Sequence, residues 1–316
     1  MYLTLTINPS IDHYMRLPEG QALKNGTPEA PSVNRALNEY FEAGGKGINV
    51  AKILKRLSPS SEVEATGFTA GFTGREVIDD IRLQGISASF IEVKGHTRVN
   101  LKLTDGFGIE TEVNGPGPSI TDQDIRRLIS KIDESSCDTL FISGSLAAGL
   151  KSDTYHYIAN EVLKSKPGLR LVLDFEGEAL LKCLELRPFL IKPNARELSL
   201  LTGMDISTGS DISKIKEAAK MLKDKGAMNV LVSLGDQGAA ILTDDGGFFH
   251  VPGISGDVIS TIGAGDTMTA SYVYMLDRIE DAGTSLKFSN ECAALSAFTS
   301  GLPGALDLNR IISRYN

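Results

Sequence analysis

Short runs of β-branched and aliphatic residues alternate along most of the chain with segments in which apolar residues recur every three or four positions. This alternation predicts a mainly parallel sheet covered by helices, because parallel strands need crossover connections that are usually helical. In INVAKILKRL, Val50, Ile53, Leu54 and Leu57 fall on one helical face, and SKIKEAAKMLKDKG is closed by a glycine. The sequence therefore predicts an α/β core. Its predicted strands are Tyr2–Asn8, Val63–Phe68, Asp138–Ser143, Arg170–Phe175, Phe189–Pro193, Asn229–Leu234 and Ala239–Thr243.

Two stretches break this alternation. Residues 12–41 follow the first strand without a helical pattern, and TRVNLKLTDGFGIETEV alternates polar and apolar residues around an Asp105-Gly106 turn, as a hairpin does. We expect these strands to lie outside the main sheet and to form a lid from about residues 12–43 and 96–114. No repeat, low-complexity tract or flexible linker divides the chain. A single domain over residues 1–316 is therefore predicted.

Composition narrows the classes of function. The 316 residues are 41% hydrophobic and 23% charged, as in ordinary globular proteins, and the net charge of -8 is spread without a long block, which argues against a nucleic-acid partner. Cys137, Cys183 and Cys292 are far apart and form no CxxC pair, so neither a disulfide framework nor a zinc site is indicated. No stretch approaches the roughly 18 apolar residues of a membrane span, and the N-terminus does not resemble a signal peptide. We expect a cytoplasmic protein.

The stretch STIGAGDTMTASYVYML places an aspartate directly after three small residues and before a helix. Gly263, Ala264 and Gly265 allow backbone N–H groups to converge on one anion. Asp266 is then either a helix-capping carboxylate or a group that orients an attacking hydroxyl and accepts its proton during phosphoryl transfer. In both cases the helix dipole is expected to lower its pKa.

A second glycine cluster, FEAGGKGINV, places Gly44 and Gly45 before Lys46 at a helix start. It is either a plain strand-to-helix turn or part of an anion site. A cation in the first helical turn costs about 0.3 to 1 kcal/mol against the helix dipole, so a nearby anion is expected. Standard nucleotide-binding loops are absent from the sequence, since Gly47 stands where a Walker A loop has Ser or Thr, and no GxGxxG follows the first strand. Any phosphate must be held differently.

AGGKGINVAKIL and STIGAGDTMTASYVY resemble the two signature motifs of the ribokinase-like phosphofructokinase B (pfkB) family of carbohydrate kinases. Further stretches resemble family segments in the same order over nearly the whole chain: TLTINPSID, VNRA, TRVNLKL, FISGSL, IKPNARELSLLTG and VSLGDQGA. The resemblance implies a three-layer α/β/α core with a small β-strand lid, and ATP and Mg²⁺ as cofactors. NPSID, AGGKGINVA and TRVNLKL are most similar to members that phosphorylate fructose 1-phosphate, with tagatose-6-phosphate kinases as close relatives.

The resemblance also implies roles for individual residues. Asp266 would be the catalytic base, with Gly263, Ala264 and Gly265 forming the anion hole. Sugar hydroxyls would be bound by Asp12, Gly45 and Asn49, and the phosphate on the acceptor by Lys46, Arg98 and Ser145. Judged without the resemblance, Asp12 could equally be a solvated loop carboxylate, and Arg98 an exposed strand residue.

The nucleotide side rests on other segments. The residues that the resemblance places near ATP are Lys192, Asn194, Glu197, Ser233, Gly235, Gly238 and Asn290, with Glu197 also near Mg²⁺ indirectly. Asn194 and Glu197 fit a helix-capping box equally well, which needs no ligand. Asn290 could also be an ordinary amide on a helix surface.

Three features depart from the family pattern, and two other functions remain open. Ala147 replaces a usual proline in SGSLAAG, Glu176 stands where serine is common, and the segment over residues 24–32 is longer than usual. Family lids frequently pair between subunits, so a homodimer through the lid is expected. A catalytically silent sugar-phosphate sensor would keep this fold, although the intact GAGD argues against it, and a nicotinamide-dependent oxidoreductase would need a fingerprint that the sequence lacks.

Overall fold

The computed structural model describes residues 1–19, 23–24, 27–28, 34–206 and 211–315. The strands are β1 (Tyr2–Thr6), β2 (Ser10–Arg16), β3 (Leu23–Lys24), β4 (Thr27–Pro28), β5 (Asn38–Gly44), β6 (Val63–Thr69), β7 (Ser87–Ala88), β8 (Ile91–Glu92), β9 (Arg98–Thr104), β10 (Glu110–Asn114), β11 (Thr139–Ser143), β12 (Arg170–Asp174), β13 (Leu190–Ile191), β14 (Asn229–Ser233), β15 (Ala239–Leu242) and β16 (Phe248–Val251). The helices are α1 (Lys46–Leu57), α2 (Gly71–Leu83), α3 (Asp122–Glu134), α4 (Thr154–Ser165), α5 (Glu178–Cys183), α6 (Ala195–Thr202), α7 (Ile212–Asp224), α8 (Ala264–Ile279), α9 (Ala282–Ala297) and α10 (Ala305–Ile312), with 3₁₀ turns at Leu184–Leu186 and Gly235–Gln237.

The central sheet has the strand order β16-β15-β14-β13-β12-β11-β1-β6-β7, with β8 also paired to β6. Neighbouring strands from β14 to β7 are parallel, while β15 and β16 are antiparallel at one edge. All the predicted strands are confirmed in this sheet, although Phe189–Pro193 shortens to Leu190–Ile191. The strands that the sequence pattern did not predict are β7, β8 and β16, which are two to four residues long. Such short strands carry too few positions for a period of two to be recognised.

Helices cover both faces of the sheet. Along β12, Leu171 and Leu173 pack with helices α3 to α7, whereas Val172 packs with α1, α2 and α8 to α10 on the opposite side. Because successive side chains of a strand point to opposite faces, one strand contributes residues to two separate hydrophobic cores. The predicted apolar face of α1 is buried, and the three-layer α/β/α architecture is confirmed.

A smaller sheet has the order β10-β9-β2-β5, and we call these four strands the lid. In it β2 is parallel to β9 and antiparallel to β5, and β9 and β10 form the predicted hairpin. The connecting loop covers residues 105–109 and is longer than a two-residue turn. Oδ1 of Asp105 stabilises it by accepting hydrogen bonds of 2.9 Å from both the Phe107 and the Ile109 amides. Most of the predicted extension over residues 24–32 lies outside the described residues.

The lid is fastened to the core at the end of β5, and we call this point the lid foot. Lys52 of α1 donates to the carbonyl of Ala43 at 2.8 Å and pairs with the Asp80 carboxylate of α2 at 3.1 Å. Asp80 in turn accepts from the Ala43 amide at 3.1 Å. Both backbone groups of Ala43 are thus satisfied by side chains from two helices, which fixes where the following glycines turn into α1.

Within the part of the chain that the structure describes, no helix combines the length and the hydrophobicity that a membrane crossing requires.

Candidate active site

A cleft of about 1210 Å³ opens between the carboxyl ends of the central strands and the lid. Ligands of open parallel sheets bind at this edge, because the loops that follow the strands converge there. The structure brings all the site residues predicted from the sequence into the walls of this one cleft, namely Asp12, Gly45, Lys46, Asn49, Arg98, Ser145, Lys192, Asn194, Glu197, Ser233, Gly235, Gly238, Gly263, Ala264, Gly265, Asp266 and Asn290. Their individual roles stay predictions.

The GAGD segment forms the start of α8. Gly263 is the N-cap residue with a φ of 80°, a left-handed conformation that favours glycine. No side chain caps this helix, so the interpretation of Asp266 as the capping residue is wrong. Asp266 lies in the first turn, is only 5% exposed, and accepts a 2.8 Å hydrogen bond from the Asn49 side-chain amide of α1.

The environment of Asp266 makes it a stronger base than the sequence suggested. Burial, followed by the negative charge of Asp174, raises the pKa of Asp266 to about 6, against the opposing effects of Lys46, Asn49 and Lys192. The expectation of a lowered pKa for Asp266 is therefore wrong, because desolvation and the like charge of Asp174 have the larger effect. A carboxylate with a pKa near neutrality is suited to accept a proton.

Lys46 finds its compensating anion inside the protein. It is the first residue of α1, and its Nζ lies 3.0 Å from Oδ1 of Asp174, while Nζ of Lys192 lies 3.5 Å from Oδ2 of the same carboxylate. Burial tends to raise the pKa of Asp174, but Lys192 and Lys46 hold it below its ordinary value. Sequence reasoning missed Asp174, and the available signal was its position directly at the end of a buried strand.

The acceptor side of the cleft is built on the lid. Oδ1 of Asp12 accepts hydrogen bonds from the Ser10 hydroxyl at 2.7 Å and the Asn100 amide at 2.9 Å. A methyl group on Gly44 would lie 2.5 Å from Oδ2 of Asp12, so a larger residue at this position would displace the Asp12 carboxylate. Asp12 is thus an ordered strand residue and not a solvated loop carboxylate, and the sequence analysis did not identify Ser10 and Asn100 as its partners.

Arg98 lies at the start of β9, beside Asp12. Its Nε donates to the carbonyl of Asn8 at 3.1 Å, and its side chain is half-buried in the cleft wall. Burial lowers the pKa of Arg98, opposed by Asp12. The interpretation of Arg98 as an ordinary exposed strand residue is therefore wrong.

The nucleotide side combines structural and candidate binding roles. Oδ1 of Asn194 accepts from the Glu197 amide at 2.8 Å, and Oε2 of Glu197 accepts from the Asn194 amide at 2.9 Å, which completes a capping box on α6. Both residues also line the cleft, so capping does not remove them from the site. Asn290 is buried and donates to the carbonyl of Pro252 at 3.0 Å, so it is not a surface amide.

Two departures from the family pattern fall at the cleft. Ala147 is buried in the core, and the Tyr155 hydroxyl donates to the carbonyl of Gly144 at 3.0 Å, so the loop that carries Ser145 is anchored. Glu176 is exposed and forms part of the cleft wall, where it adds a negative charge.

Comparisons with known proteins agree with this geometry. The profile of the pfkB family carbohydrate kinases matches residues 6–307. The chain is 36% identical over 315 residues to the 1-phosphofructokinase of Borreliella burgdorferi, covering 99% of this chain and 96% of that protein. It is 32% identical to the D-tagatose-1-phosphate kinase of Bacillus licheniformis, covering 99% and 98%. It is also similar to the solved structure of Escherichia coli phosphofructokinase-2 in complex with fructose-6-phosphate, at 26% identity and a TM-score of 0.85, covering 99% and 98% of the two chains.

The raised pKa of Asp266 implies a pH-dependent effect on stability. Because the folded pKa of about 6 exceeds the ordinary 3.8, the folded carboxyl binds its proton more tightly than the unfolded one. Its stabilising contribution is fully present below pH 3.8 and is lost as the pH rises through 6. At about 1.4 kcal/mol per pKa unit, we expect Asp266→Asn to increase the free energy of unfolding at pH 8 by up to ~3 kcal/mol, an increase that shrinks below pH ~6.

Urea unfolding of the wild type and the variant between pH 5 and pH 8 measures this difference. Asp277→Asn is the matched control, because it removes a carboxylate from the other end of α8, where Asp277 pairs with Arg170 at 2.6 Å. The control should destabilise the protein to a similar extent across this pH range. The raised pKa would be contradicted if the difference in unfolding free energy between Asp266→Asn and the wild type were no larger at pH 8 than at pH 5.

Proposed function

Because this chain belongs to the pfkB family of carbohydrate kinases, we propose that it transfers the γ-phosphoryl group of ATP to fructose 1-phosphate, which yields fructose 1,6-bisphosphate. The observation that carries the proposal is the buried Asp266 at the start of α8, with a pKa raised to about 6, in a cleft that also holds Lys46 and Arg98. The names of the relatives support the choice of acceptor, since the first is a 1-phosphofructokinase.

In the proposed reaction, the C6 hydroxyl oxygen of the acceptor forms a bond to the γ-phosphorus as the bond from that phosphorus to the β-phosphate oxygen breaks. The hydroxyl proton passes to the carboxylate of Asp266, and ADP leaves with the broken bond's electron pair. Backbone N–H groups at the start of α8 face the transferring group, where the helix dipole favours negative charge. Phosphoryl transfer depends mainly on positioning and charge stabilisation, which these groups supply.

The acceptor would lie between the lid and α1. Asp12 is held through Oδ1 by Ser10 and Asn100, and its carboxylate would accept from a sugar hydroxyl. Arg98 and Lys46 provide positive charge for the phosphate that the acceptor already carries, together with Ser145. These cations support a phosphorylated acceptor, because the protein's net charge of -8 repels anions at long range and only local contacts can overcome it.

Tagatose 1-phosphate is a second candidate acceptor, and one observation favours it. One relative is a D-tagatose-1-phosphate kinase, and tagatose differs from fructose in the configuration of one carbon. Tagatose 6-phosphate remains an alternative from the sequence motifs, and a non-catalytic sensor is the alternative outside kinases. The buried Asp266, which accepts from Asn49, and the nearby Lys46, which is fixed by Asp174, argue against the sensor.

Mg²⁺ is proposed as the partner of the ATP phosphates. Within the described residues, no cluster of three or more His, Cys, Asp or Glu side chains could hold a metal by itself. Mg²⁺ in kinases is usually held by one or two carboxylates together with substrate phosphates and water. Glu197 fits this description, since the capping box uses its Oε2 and leaves Oε1 for a water-mediated contact. When bound, the ion would neutralise charge on the phosphates as the transfer proceeds.

A homodimer through the lid is also proposed. Directly opposite residues in neighbouring strands share a face of the sheet, and His13, Phe41, Leu101 and Val113 are opposite one another in this way. Phe41 and Val113 are 54% and 60% exposed on this face, whereas the other face carries Asp12 and Asn100 towards the cleft. An exposed apolar sheet face of this kind is suited to packing against a second copy of itself.

An acceptor screen tests the proposed function. With ATP and Mg²⁺, we expect the highest kcat/KM for fructose 1-phosphate, lower values for tagatose 1-phosphate, tagatose 6-phosphate and fructose 6-phosphate, and the lowest for free fructose. Asp266→Asn should lower kcat by ~10²- to 10⁴-fold with little change in KM, because it keeps the shape and loses the proton acceptor. A wild type with no ATP consumption on any sugar phosphate would identify a sensor instead, and near-normal kcat in the variant would exclude Asp266 as the base.

Arg98 tests whether the acceptor carries a phosphate. Charge-assisted hydrogen bonds contribute about 1.5 to 3 kcal/mol, so Arg98→Ala should reduce kcat/KM for fructose 1-phosphate by ~10- to 150-fold and leave the KM for ATP little changed. Arg16→Ala is the matched control, because Arg16 is an exposed arginine at the far end of β2. If the two variants had equal activity with fructose 1-phosphate, the phosphate-binding role of Arg98 would be wrong.

Sedimentation tests the homodimer. We expect the wild type to sediment at twice the mass of one chain and Phe41→Glu to sediment as a monomer, because a charge on the apolar face cannot be buried without a partner. Leu83→Glu is the control, since Leu83 is 88% exposed on α2. A wild type that sediments as a monomer, or a dimer that Phe41→Glu leaves intact, would argue against this interface.

A further inference from the structure

Asp174 is the last residue of β12, in the middle of the central sheet, and its side chain is 2% exposed. Both carboxylate oxygens are occupied. Oδ1 pairs with Lys46 at 3.0 Å, while Oδ2 pairs with Lys192 at 3.5 Å and lies 3.3 Å from the Thr269 hydroxyl of α8. Asp174 is not part of the cleft wall, although both lysines are.

The two lysines come from different sides of the cleft. Lys46 begins α1 beside the acceptor residues, and Lys192 follows β13 on the nucleotide side. Lys192 also approaches the anion hole, since a methyl group on Gly265 would lie 3.2 Å from its Nζ. One carboxylate therefore connects the acceptor wall, the nucleotide wall and the helix that carries the catalytic base.

Lysine side chains are long and flexible, and each loses rotamer entropy when it is fixed in one position. A buried ion pair is weak evidence for stability, because desolvation offsets much of the attraction. The benefit of fixing these two lysines is therefore expected in the reaction rate rather than in stability. A group misplaced by about 1 Å can reduce a rate ~10²-fold.

We propose that Asp174 is a positioning residue for phosphoryl transfer, whose buried carboxylate holds Lys46 and Lys192 in place on the acceptor and nucleotide sides of the reacting phosphoryl group. This inference rests on the proposed function. The negative charge of Asp174 also raises the pKa of Asp266. Lys46, Lys192 and the Asn49 amide lower it. Glu197 is a further charge in this set and acts on Lys46.

Two substitutions separate the position of the carboxylate from its charge. Asp174→Asn removes the charge, so kcat should fall by ~10- to 100-fold with KM values changed less than about threefold, since both lysines keep their charge and lose their anchor. The acid limb of the kcat profile, which reports Asp266, should move to lower pH by about one unit. Asp174→Glu keeps the charge and displaces it by one methylene, so kcat should fall while the acid limb stays in place.

Asp277→Asn is the matched control, because it also removes one carboxylate paired with a cation, and neither kcat nor the acid limb should change. Asp174→Asn with wild-type kcat and an unmoved acid limb would overturn the inference. If circular dichroism shows that Asp174→Asn does not fold, Asp174→Glu decides between the two roles. Wild-type kcat in Asp174→Glu, or a failure of this variant to fold as well, would make Asp174 a purely structural residue and overturn the inference.

These assays use whichever sugar phosphate the wild type phosphorylates best. A wild type inactive with every sugar phosphate would refute the proposed function, whereas an active wild type with an unaffected Asp174→Asn variant would refute only the positioning role.

Discussion

Two carboxylates, Asp174 and Asp266, are buried close enough to influence each other, and their mutual repulsion is the constraint that organises this site. The protein meets it by placing Lys46 and Lys192 around Asp174, which stays ionised, while Asp266 retains a higher affinity for its proton. The solution needs four chain segments at once, because β12, the end of β13 and the starts of α1 and α8 each supply one group. The parallel sheet makes this possible, since its carboxyl edge is where these segments meet.

Glycines of the two clusters lie where charged side chains come close to the backbone. The space beside Gly44 is occupied by the Asp12 carboxylate, and the space beside Gly265 by the Lys192 ammonium group. In both motifs the absent side chain is what allows a charged group from a distant part of the chain to approach the backbone. The motifs therefore mark places where another segment's functional group is accommodated, in addition to places where the backbone turns.

Much of this could be predicted from sequence, because local patterns report local structure. The α/β core, the apolar face of α1 and the β9–β10 hairpin follow from hydrophobic periodicity. The resemblance to family motifs identified candidate residues that all line one cleft in the structure. The pairing of Lys46 with Asp174 could not be predicted in this way, because 128 residues separate them and nothing local links them. The raised pKa of Asp266 was also missed, since burial and the charge of Asp174 are properties of the folded neighbourhood.

The lid foot gives the lid the mechanics of a lever with a fixed fulcrum. Ala43 is held by Lys52 and Asp80 at the same end of the lid where β2 leaves the core, so the seven residues of β2 extend from this fulcrum over about 20 Å. Asp12 lies only two residues from the near end of β2, about 7 Å along the strand. A rotation of the lid about this point therefore displaces its tip roughly three times as far as it displaces Asp12.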